Sequence, residues 1–396
     1  ILREVTALAR YMVQLPVYRV HIPRLLSMLV PGIDSNDPEK TILTIGLVKL
    51  VSLVVPFADL TDGNGDGGTL AMDFTSQHIS YLEAKFYAGS PKSKTFLMDA
   101  ESEVPEKFAY DSQMELDALK SASSSFSEFI KQFCRGCFKY LEYSPNVESD
   151  EGMETRASVL IPQAFDALIE SMSDELFKVA TDEYFEYITN NVKHPVAIIF
   201  SNIAELLVRR DPHKQLPRLY KYLMPQIRRE ISEGAGVSRS QEVLTKDARI
   251  VWYLKLLCGT CLGAGKYLVP YLADLEQFLV QDTVNLRGEA SYSISLLVNS
   301  IFASVSCVRP LERRLISPDW LETHGGKVTE ACWGGFQFDP YRFDRSNLQF
   351  QWYRPSFKEV DPLVNTFDKV VNSSVEKIDQ FLNDTDSQQK LPLETI

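Results

Sequence analysis

The hydrophobic positions of the chain recur with the period of an α-helix along most of its length. From Phe126 the apolar residues fall at positions 126, 129, 130, 133, 134, 137, 138 and 141, and polar residues occupy the opposite face. The same kind of spacing predicts further helices over 1–15, 22–30, 38–55, 171–188, 194–210, 214–231, 246–262, 266–281, 286–305 and 356–382. Strand-like alternation is almost absent, so the pattern indicates an all-α protein.

Local signals place some of the helix ends. Ser171, followed three residues later by Asp174, is typical of a capping box that opens a helix. Pro195 is expected at the start of another helix, and Pro212 just beyond its end. Each predicted helix carries an apolar face that is too wide to remain in water, so neighbouring helices must stack.

The order of the helices indicates how they stack. Helices of roughly 15–20 residues follow one another through short turns marked by Pro or Gly, with a spacing near ~40 residues per helix pair, as in HEAT repeats. No strict consensus repeats along the chain, which is usual for HEAT units. The sequence therefore predicts a HEAT-like α-solenoid, built from stacked antiparallel helix pairs.

Two stretches interrupt the helical pattern. One is an acidic, Gly-rich segment with weak periodicity, which we interpret as a loop or partly disordered insert. The other is rich in Trp, Tyr and Phe and is interpreted as an ordered irregular loop pinned by its rings. We accordingly divide the chain into HEAT-like helices over 1–58, the insert over 59–118, a HEAT-like helical array over 119–310, the aromatic-rich segment over 311–355, and a helix with a tail over 356–396.

Composition and charge narrow the class of partner. The 396 residues carry a formal net charge of −12, which disfavours general binding to nucleic acids or anionic membranes. The most apolar run, Ile42–Ala58, is shorter than the ~20 residues that span a bilayer, and Lys49 lies near its middle. We interpret it as a buried core helix and expect no membrane partner. Six cysteines in the chain suggest a reducing compartment.

Two Cys-x-x-Cys pairs, Cys134 with Cys137 and Cys258 with Cys261, have the pattern of a four-thiolate zinc site or of a redox motif. Structural zinc usually takes such pairs from tight turns, and a redox pair follows a strand and opens a helix. Here both pairs lie within predicted helices, on the apolar face. The preferred interpretation is that all four thiols pack in the core as small hydrophobic groups.

The segment Asp62–Asp73 resembles an EF-hand loop, because Asp62, Asn64 and Asp66 take its first ligand positions and Gly67 its turn. The final position holds Asp73, where a longer bidentate Glu is wanted, so calcium binding is kept as an alternative. The segment Cys258–Lys266 resembles a phosphate loop but has the wrong glycine spacing and no hydroxyl residue after its lysine. We interpret it as a helix–turn–helix joint made by Gly263 and Gly265.

No arrangement of side chains points to catalysis. The five histidines, at positions 21, 78, 194, 213 and 324, lie in neither a Gly-x-Ser-x-Gly nor a His-Glu-x-x-His motif. We therefore predict no catalytic or metal-binding residue and no enzyme activity. Basic residues are concentrated in one region, at Arg209, Arg210, Lys214, Arg218, Lys221, Arg228 and Arg229. They form either a solvated helix face or a patch for an anion or an acidic partner.

Four segments resemble the middle region of the large single-chain HEAT-repeat proteasome activators, a family that comprises the yeast bleomycin-sensitivity protein and its animal counterpart. The most specific is the turn Pro31–Asp37 within "LVPGIDSNDPEKT", where Asp34 or Asn36 is placed to cap the next helix. The others are "FSEFIKQFCRGCFKYLE", "RIVWYLKLL" and "FQWYRPSFKEVD". The resemblance covers roughly residues 1–385, apart from the insert.

The resemblance implies a domed α-solenoid that caps the 20S proteasome, docks on its α-subunit ring and aids degradation of peptides and unfolded proteins. It also implies links to DNA repair and acetylated histones, a nuclear and cytoplasmic location, and inositol phosphates as ligands, whose binding residues no motif here assigns. The chain lacks the family's tyrosine-containing tail and an initiator Met. We therefore expect a non-catalytic scaffold segment from the interior of a larger chain. The alternatives are a generic solenoid adaptor, such as a nuclear transport receptor that binds a protein in its concave face, and a calcium-regulated protein.

Overall fold

The computed structural model describes residues 21–52, 57, 122–143, 152–238, 243–310 and 352–383, and these residues are predominantly helical. The α-helices are α1 Ile22–Leu29, α2 Pro38–Ser52, α3 Phe126–Glu142, α4 Met153–Ser171, α5 Asp174–Asn190, α6 Ala197–Arg210, α7 Pro212–Ser232, α8 Ala248–Ala264, α9 Leu272–Gln277, α10 Gly288–Ser306 and α11 Phe357–Asn383. The all-α prediction is confirmed. The predicted helix over 1–15, nearly all of the insert and most of the aromatic-rich segment lie outside the described residues.

The chain divides into two compact units, each assembled from separate stretches. Unit 1 comprises Ile1–Tyr140, Glu170–Phe185 and Arg314–Arg345, and unit 2 comprises Leu141–Ile169, Glu186–Arg313 and Ser346–Ile396.

The core of unit 1 is an aromatic row along the predicted apolar face of α3. The rings of Phe129 and Phe133 stack with centroids 5.8 Å apart, and Phe57 stacks on Phe129 at 6.0 Å. Phe57 is held by backbone hydrogen bonds, since its N–H donates to the Ser171 carbonyl and its carbonyl accepts from the Ser173 N–H. On the opposite face of α3, Arg135 makes a bidentate ion pair with Glu183, at 2.7 and 2.8 Å.

Two predicted helix caps are wrong: Ser171 for α5, and Asp34 or Asn36 for α2. Ser171 ends α4, and Ser173 caps α5 instead, with its Oγ accepting from the Leu176 N–H. In the Pro31–Asp37 turn, Asp37 caps α2 by accepting from the Lys40 N–H at 3.0 Å. Ser171 still belongs to α4, where its carbonyl accepts from the Phe57 N–H, and Asp34 instead accepts from the Asn36 N–H within the turn.

Unit 2 contains a layer of three helices, α6, α8 and α10, in which α8 packs between the other two. Gly259 lies against Ser201 and Gly263 against Glu205, so α6 and α8 run in the same direction. Between α8 and α10, Cys258 contacts the Ser293 carbonyl, 35 residues away, and the Gly265 N–H donates to the Ser304 hydroxyl, 39 residues away. Because the separations are nearly constant, these two helices are also parallel.

A second layer of unit 2 consists of α7, α9 and α11. Tyr220 contacts Asp274, and Arg228 contacts Asp282, and both pairs are 54 residues apart. Between α9 and α11 the corresponding separation is 93 residues, for Lys369 with Glu276. Helices in equivalent places are thus separated by unequal lengths of chain, which explains why the sequence shows no strict repeat.

One predicted helix, 266–281, is divided into three pieces. It begins as a 3₁₀ helix over Gly265–Tyr271, continues as α9, and ends as a π-helix over Phe278–Asp282. Pro270 has no backbone N–H to donate, and Gly265 has a φ of 60°, which only glycine adopts readily. These two residues account for the non-α backbone at the start of the segment.

Helix α8 is buried on all sides: of its 17 residues, only Ala248, Arg249 and Leu262 are not buried. The helical stretch Ala248–Asp282 is the one among the described residues whose length and composition would suit a membrane span, but 61% of its most apolar window is buried inside the fold. Such burial is typical of a core helix. The predicted burial of α2 is confirmed at Ile45 and Val48.

The two residues before the aromatic-rich segment pair with two residues near its end in a short antiparallel ladder. Strand β1, Arg309–Pro310, pairs with β2, Trp352–Tyr353, with Arg309 opposite Tyr353. The "WYRPS" part of the sequence therefore begins as a strand, and α11 follows four residues after β2.

Candidate functional site

The four cysteines of the two Cys-x-x-Cys pairs are buried thiols, as predicted. Burial raises the pKa of Cys134 and Cys137 well above the usual value, and it raises the pKa of Cys258 to about 12. A thiol with such a pKa stays protonated at neutral pH, whereas metal binding and disulfide exchange require the thiolate. Within the described residues no group of three or more His, Cys, Asp or Glu side chains could hold a metal ion.

The glycines around the second cysteine pair bring two helices together. A Cβ on Gly259 would clash with the Ser201 carbonyl oxygen, and one on Gly263 would clash with the Glu205 carbonyl oxygen. Gly263 is therefore a contact residue inside α8, and only Gly265 forms the predicted joint. The signal that sequence reasoning missed is the Gly-x-x-x-Gly spacing, which places small residues on one side of a helix.

The remaining predicted motifs are dispersed. The EF-hand-like segment Asp62–Asp73 lies outside the described residues, as do His78 and His324. His21 precedes α1, and His194 opens the 3₁₀ helix before α6. His213, in the first turn of α7, packs edge-on against Tyr267 with ring centroids 4.4 Å apart.

Most residues of the basic cluster between positions 209 and 229 form contacts within unit 2. Arg228 pairs with Asp274 at 2.7 Å and with Asp282 at 3.1 Å, and these hydrogen bonds raise its pKa. Arg209 pairs with Asp166, and buried Arg210 donates to the Ile169 carbonyl. The interpretation as a solvated face is therefore wrong for these three arginines, which join helices.

Asp274 is the centre of one such junction. It accepts hydrogen bonds from the Tyr220 hydroxyl at 2.6 Å and from Arg228. Burial acts to raise the pKa of Asp274, but these hydrogen bonds outweigh it and leave the pKa lowered. A carboxylate that accepts these hydrogen bonds joins α7 to α9, and it has little capacity to act as a general base.

The outer side of α7, in the first half of the helix, is the part of the basic cluster that remains a candidate interaction surface. Lys214 and Lys221 are exposed and lie two turns apart on one face. Beside them, the ammonium group of Lys266 lies 5.5 Å from the ring centre of Tyr267, which also contacts His213. This surface can attract acidic groups, but such exposed charges are strongly screened at physiological salt.

An ion pair between a buried lysine and a partly buried glutamate in unit 2 was not anticipated from the sequence. Lys255 of α8 is only 4% exposed, and its Nζ lies 3.0 Å from Glu289 in the first turn of α10. The partial burial of His194 lowers its pKa, and the charge of Lys255 lowers it further, against the opposite effect of Glu289. The sequence did contain a signal for this pair. Because α8 has no polar face, a lysine in the middle of the helix must be buried together with a partner.

Comparison with known proteins finds a family that matches nearly the whole chain. Residues 1–394 match the profile of a family described as "Proteasome activator complex subunit 4, mid HEAT repeats region". Proteasome activator BLM10 of Saccharomyces cerevisiae is 26% identical over 390 residues, which cover 96% of this chain and 17% of that protein. Proteasome activator complex subunit 4B of Danio rerio is 22% identical over 372 residues, covering 91% of this chain and 18% of the relative.

The human relative, Proteasome activator complex subunit 4 of Homo sapiens, is 22% identical over 363 residues, which cover 86% of this chain and 16% of that protein. The chain thus spans less than a fifth of the length of each of these relatives. The family match confirms the predicted HEAT-like α-solenoid and the resemblance on which the expected function rests.

Proposed function

Because the chain belongs to the family of the mid HEAT-repeat region of proteasome activator complex subunit 4, we propose that it is a non-catalytic scaffold segment of a proteasome activator. The observation that carries the proposal is the family match over residues 1–394. The generic adaptor alternative has no comparable support.

The use of polar side chains in unit 2 favours a scaffold role. Asp274, Arg228 and Glu289 are residue types that catalytic sites use, but here each joins one helix to another. The thiols of α8 are buried and protonated. Chemistry that requires a free base or nucleophile has no candidate among these groups.

We also infer the partner and the process from the family relationship. The complete activator would cap the 20S core particle at its α-subunit ring and promote degradation of peptides and unfolded proteins, and this segment would hold the surrounding array in shape. As further parts of the proposal, the activator would act in the nucleus and cytoplasm, with roles in DNA repair and in the handling of acetylated histones. The support for each part is the family relationship.

A chimeric protein tests the scaffold role. The corresponding segment of the yeast relative is replaced by residues 1–396, and the chimera is mixed with purified 20S particles. We expect it to co-sediment with them and to stimulate hydrolysis of a fluorogenic peptide. A chimera that has native helicity by circular dichroism and sediments as a single species, yet neither associates nor stimulates, would contradict the proposal.

The non-catalytic part is tested separately. The isolated chain, without 20S particles, is expected to leave the same peptide intact. Turnover that co-purifies with the chain through two chromatographic steps and disappears on thermal unfolding would overturn this part, whatever the chimera does.

A further inference from the structure

Helix α11 carries a row of exposed apolar side chains. Phe357 is 86% exposed, and the others are 38% to 48% exposed: Val364, Phe367, Val371 and Val375. Together with half-buried Val360 and Ile378 they recur every three or four residues, which places them along one side of the helix. We call this row the α11 stripe.

The α11 stripe is distinct from the side by which α11 packs in unit 2. That side includes Leu363, which is buried, and two lysines that reach the neighbouring helices. Lys369 pairs with Glu276 at 3.0 Å, and Lys377 donates to the Val280 carbonyl at 3.1 Å. At ~100° per residue, Val371 and Val375 point away from these anchors. Phe367 lies at the border, with its ring 4.7 Å from that of Phe302.

A helix with one side packed and a second side apolar is suited to a second contact. The outer face of α7 shows the contrast, because it presents the charged residues Lys214 and Lys221 to solvent. A surface helix normally keeps that polar face outward, and a contiguous exposed apolar row usually marks an interaction site.

The charges beside the α11 stripe indicate what kind of helix fits it. Asp361, Asp368 and Asp379 are exposed and follow one border of the stripe. Two antiparallel copies of α11 would bring these aspartates against one another, which is unfavourable. Two parallel copies would require the other border, and there Leu363 is already buried. A partner helix with basic residues along its apolar face would place positive charges against these aspartates, which is favourable.

We propose that the α11 stripe docks an amphipathic α-helix that lies outside residues 1–396, carries Lys or Arg along one border of its apolar face, and forms the next helix of the HEAT array. The relatives extend well beyond the part that this chain covers, and HEAT units bury such faces against a neighbouring unit. The inference depends on family membership and is independent of the 20S interaction, so each proposal can fail without the other.

A peptide pair tests the proposal with the full 396-residue chain. The probe is a fluorescent amphipathic peptide of about 21 residues, with Leu at the core positions of three heptads and Lys along the border. The matched control peptide has Glu at the border. By fluorescence anisotropy we expect the Lys peptide to bind, and the Glu peptide to bind about tenfold more weakly or worse.

Variants of the chain locate the site. Val371→Asp is expected to weaken binding of the Lys peptide by about tenfold, or 1.4 kcal/mol. Asn365→Asp, which adds the same charge to the same helix away from the stripe, should change it little. Asp368→Lys should shift the preference toward the Glu peptide. Because these positions are exposed, circular dichroism should show unchanged helicity for all three variants.

Three results would overturn the proposal. The first is the absence of binding by either peptide, and the second is equal binding of both peptides that Val371→Asp does not affect. The third is self-association of the chain in analytical ultracentrifugation that Val371→Asp abolishes, which would assign the stripe to a second copy.

Discussion

Helices α8 and α11 belong to the same unit and are both rich in apolar residues, yet they occupy opposite kinds of environment. Helix α8 is enclosed by α6, α7 and α10, and even its lysine is buried. Helix α11 has 27 residues, of which only Leu363 and Thr366 are buried among those whose side chains are described. Apolar content alone therefore does not tell a core helix from an edge helix.

The difference lies in how the polar residues are arranged. In α11 they leave a defined apolar stripe, which is typical of a helix with a limited contact surface. In α8 no polar face exists, so the helix is stable only when neighbours cover every side. A substitution should therefore lower the free energy of unfolding most where its surroundings resemble those of α8, and least where they resemble those of α11.

The largest effect is expected for a buried phenylalanine. Phe133→Ala, on the core face of α3, should lower the free energy of unfolding by about 3–5 kcal/mol through lost burial and a cavity. Phe357→Ala, the same change at the exposed start of α11, should change it by less than about 0.5 kcal/mol. Urea denaturation measures both, and similar values for the two variants would refute the contrast.

The next effect concerns the close approach of α8 to α6. Gly259→Ala should destabilise the fold by about 2–3 kcal/mol, because the added methyl group would overlap the Ser201 carbonyl. Gly46→Ala is the matched control, since no atom lies within 4 Å of the added Cβ, and helix propensity should then stabilise by about 0.5–1 kcal/mol. Thermal melts should shift in opposite directions, and two shifts of the same sign would be inconsistent with the packing described.

Two lysine–glutamate ion pairs have the same N–O distance of 3.0 Å, one on α8 and one on α11. They allow the environments of the two helices to be compared again. Lys255→Met leaves Glu289 partly buried without its cation and should cost about 1–2 kcal/mol, less than for a fully buried pair because Glu289 keeps some contact with water. Lys369→Met breaks the pair with Glu276 on α11, where the lysine side chain is 65% exposed, and should cost less than about 0.5 kcal/mol. In the same denaturation assay, a larger loss for Lys369→Met would contradict the assigned environments.

The smallest effect is a pH dependence linked to the buried pair. The folded protein lowers the pKa of His194 below its usual 6.5, so the unfolded chain binds more protons as the pH falls toward and below that value. Stability should therefore decrease as the pH falls through this window, and His194→Gln should reduce the slope. NMR titration should show a pKa below 6.5 that rises in Lys255→Met but not in Lys369→Met. An unshifted pKa would rule out this linkage.

Most of the helices could be predicted from the sequence because their signal is local. The exception is α4, Met153–Ser171, which contains Pro162 and is absent from the predicted set. The apolar face of α3 and the burial of its two cysteines were predicted correctly from a spacing of three and four residues. Cap positions were less accurate, because several residues close together could each cap a helix. Ser173 caps α5 because Ser171 is still the last residue of α4, and Asp37 caps α2 while Asp34 accepts from the Asn36 N–H within the turn.

The candidate surface was predicted less well, because a cluster of basic residues looks the same whether or not acidic partners lie nearby. Arg228 and Arg209 are matched by carboxylates 46 and 43 residues away, and no local pattern reports such distances. Of this cluster, Lys214, Lys221 and Arg229 are exposed as expected. The buried pair of Lys255 was missed for the same reason, since Glu289 belongs to a different helix.

The sequence by itself determined that the chain is helical, which faces of its helices are apolar, and which family it belongs to, because periodicity and family motifs are carried by neighbouring residues. Only the tertiary structure decided which charges are paired, where two glycines allow helices to touch, and which apolar side of α11 stays open. These features depend on contacts between residues as many as 97 positions apart, whose chain separations vary from one helix pair to the next. The energy of such a contact comes from burial and geometry in three dimensions, and a one-dimensional pattern contains neither.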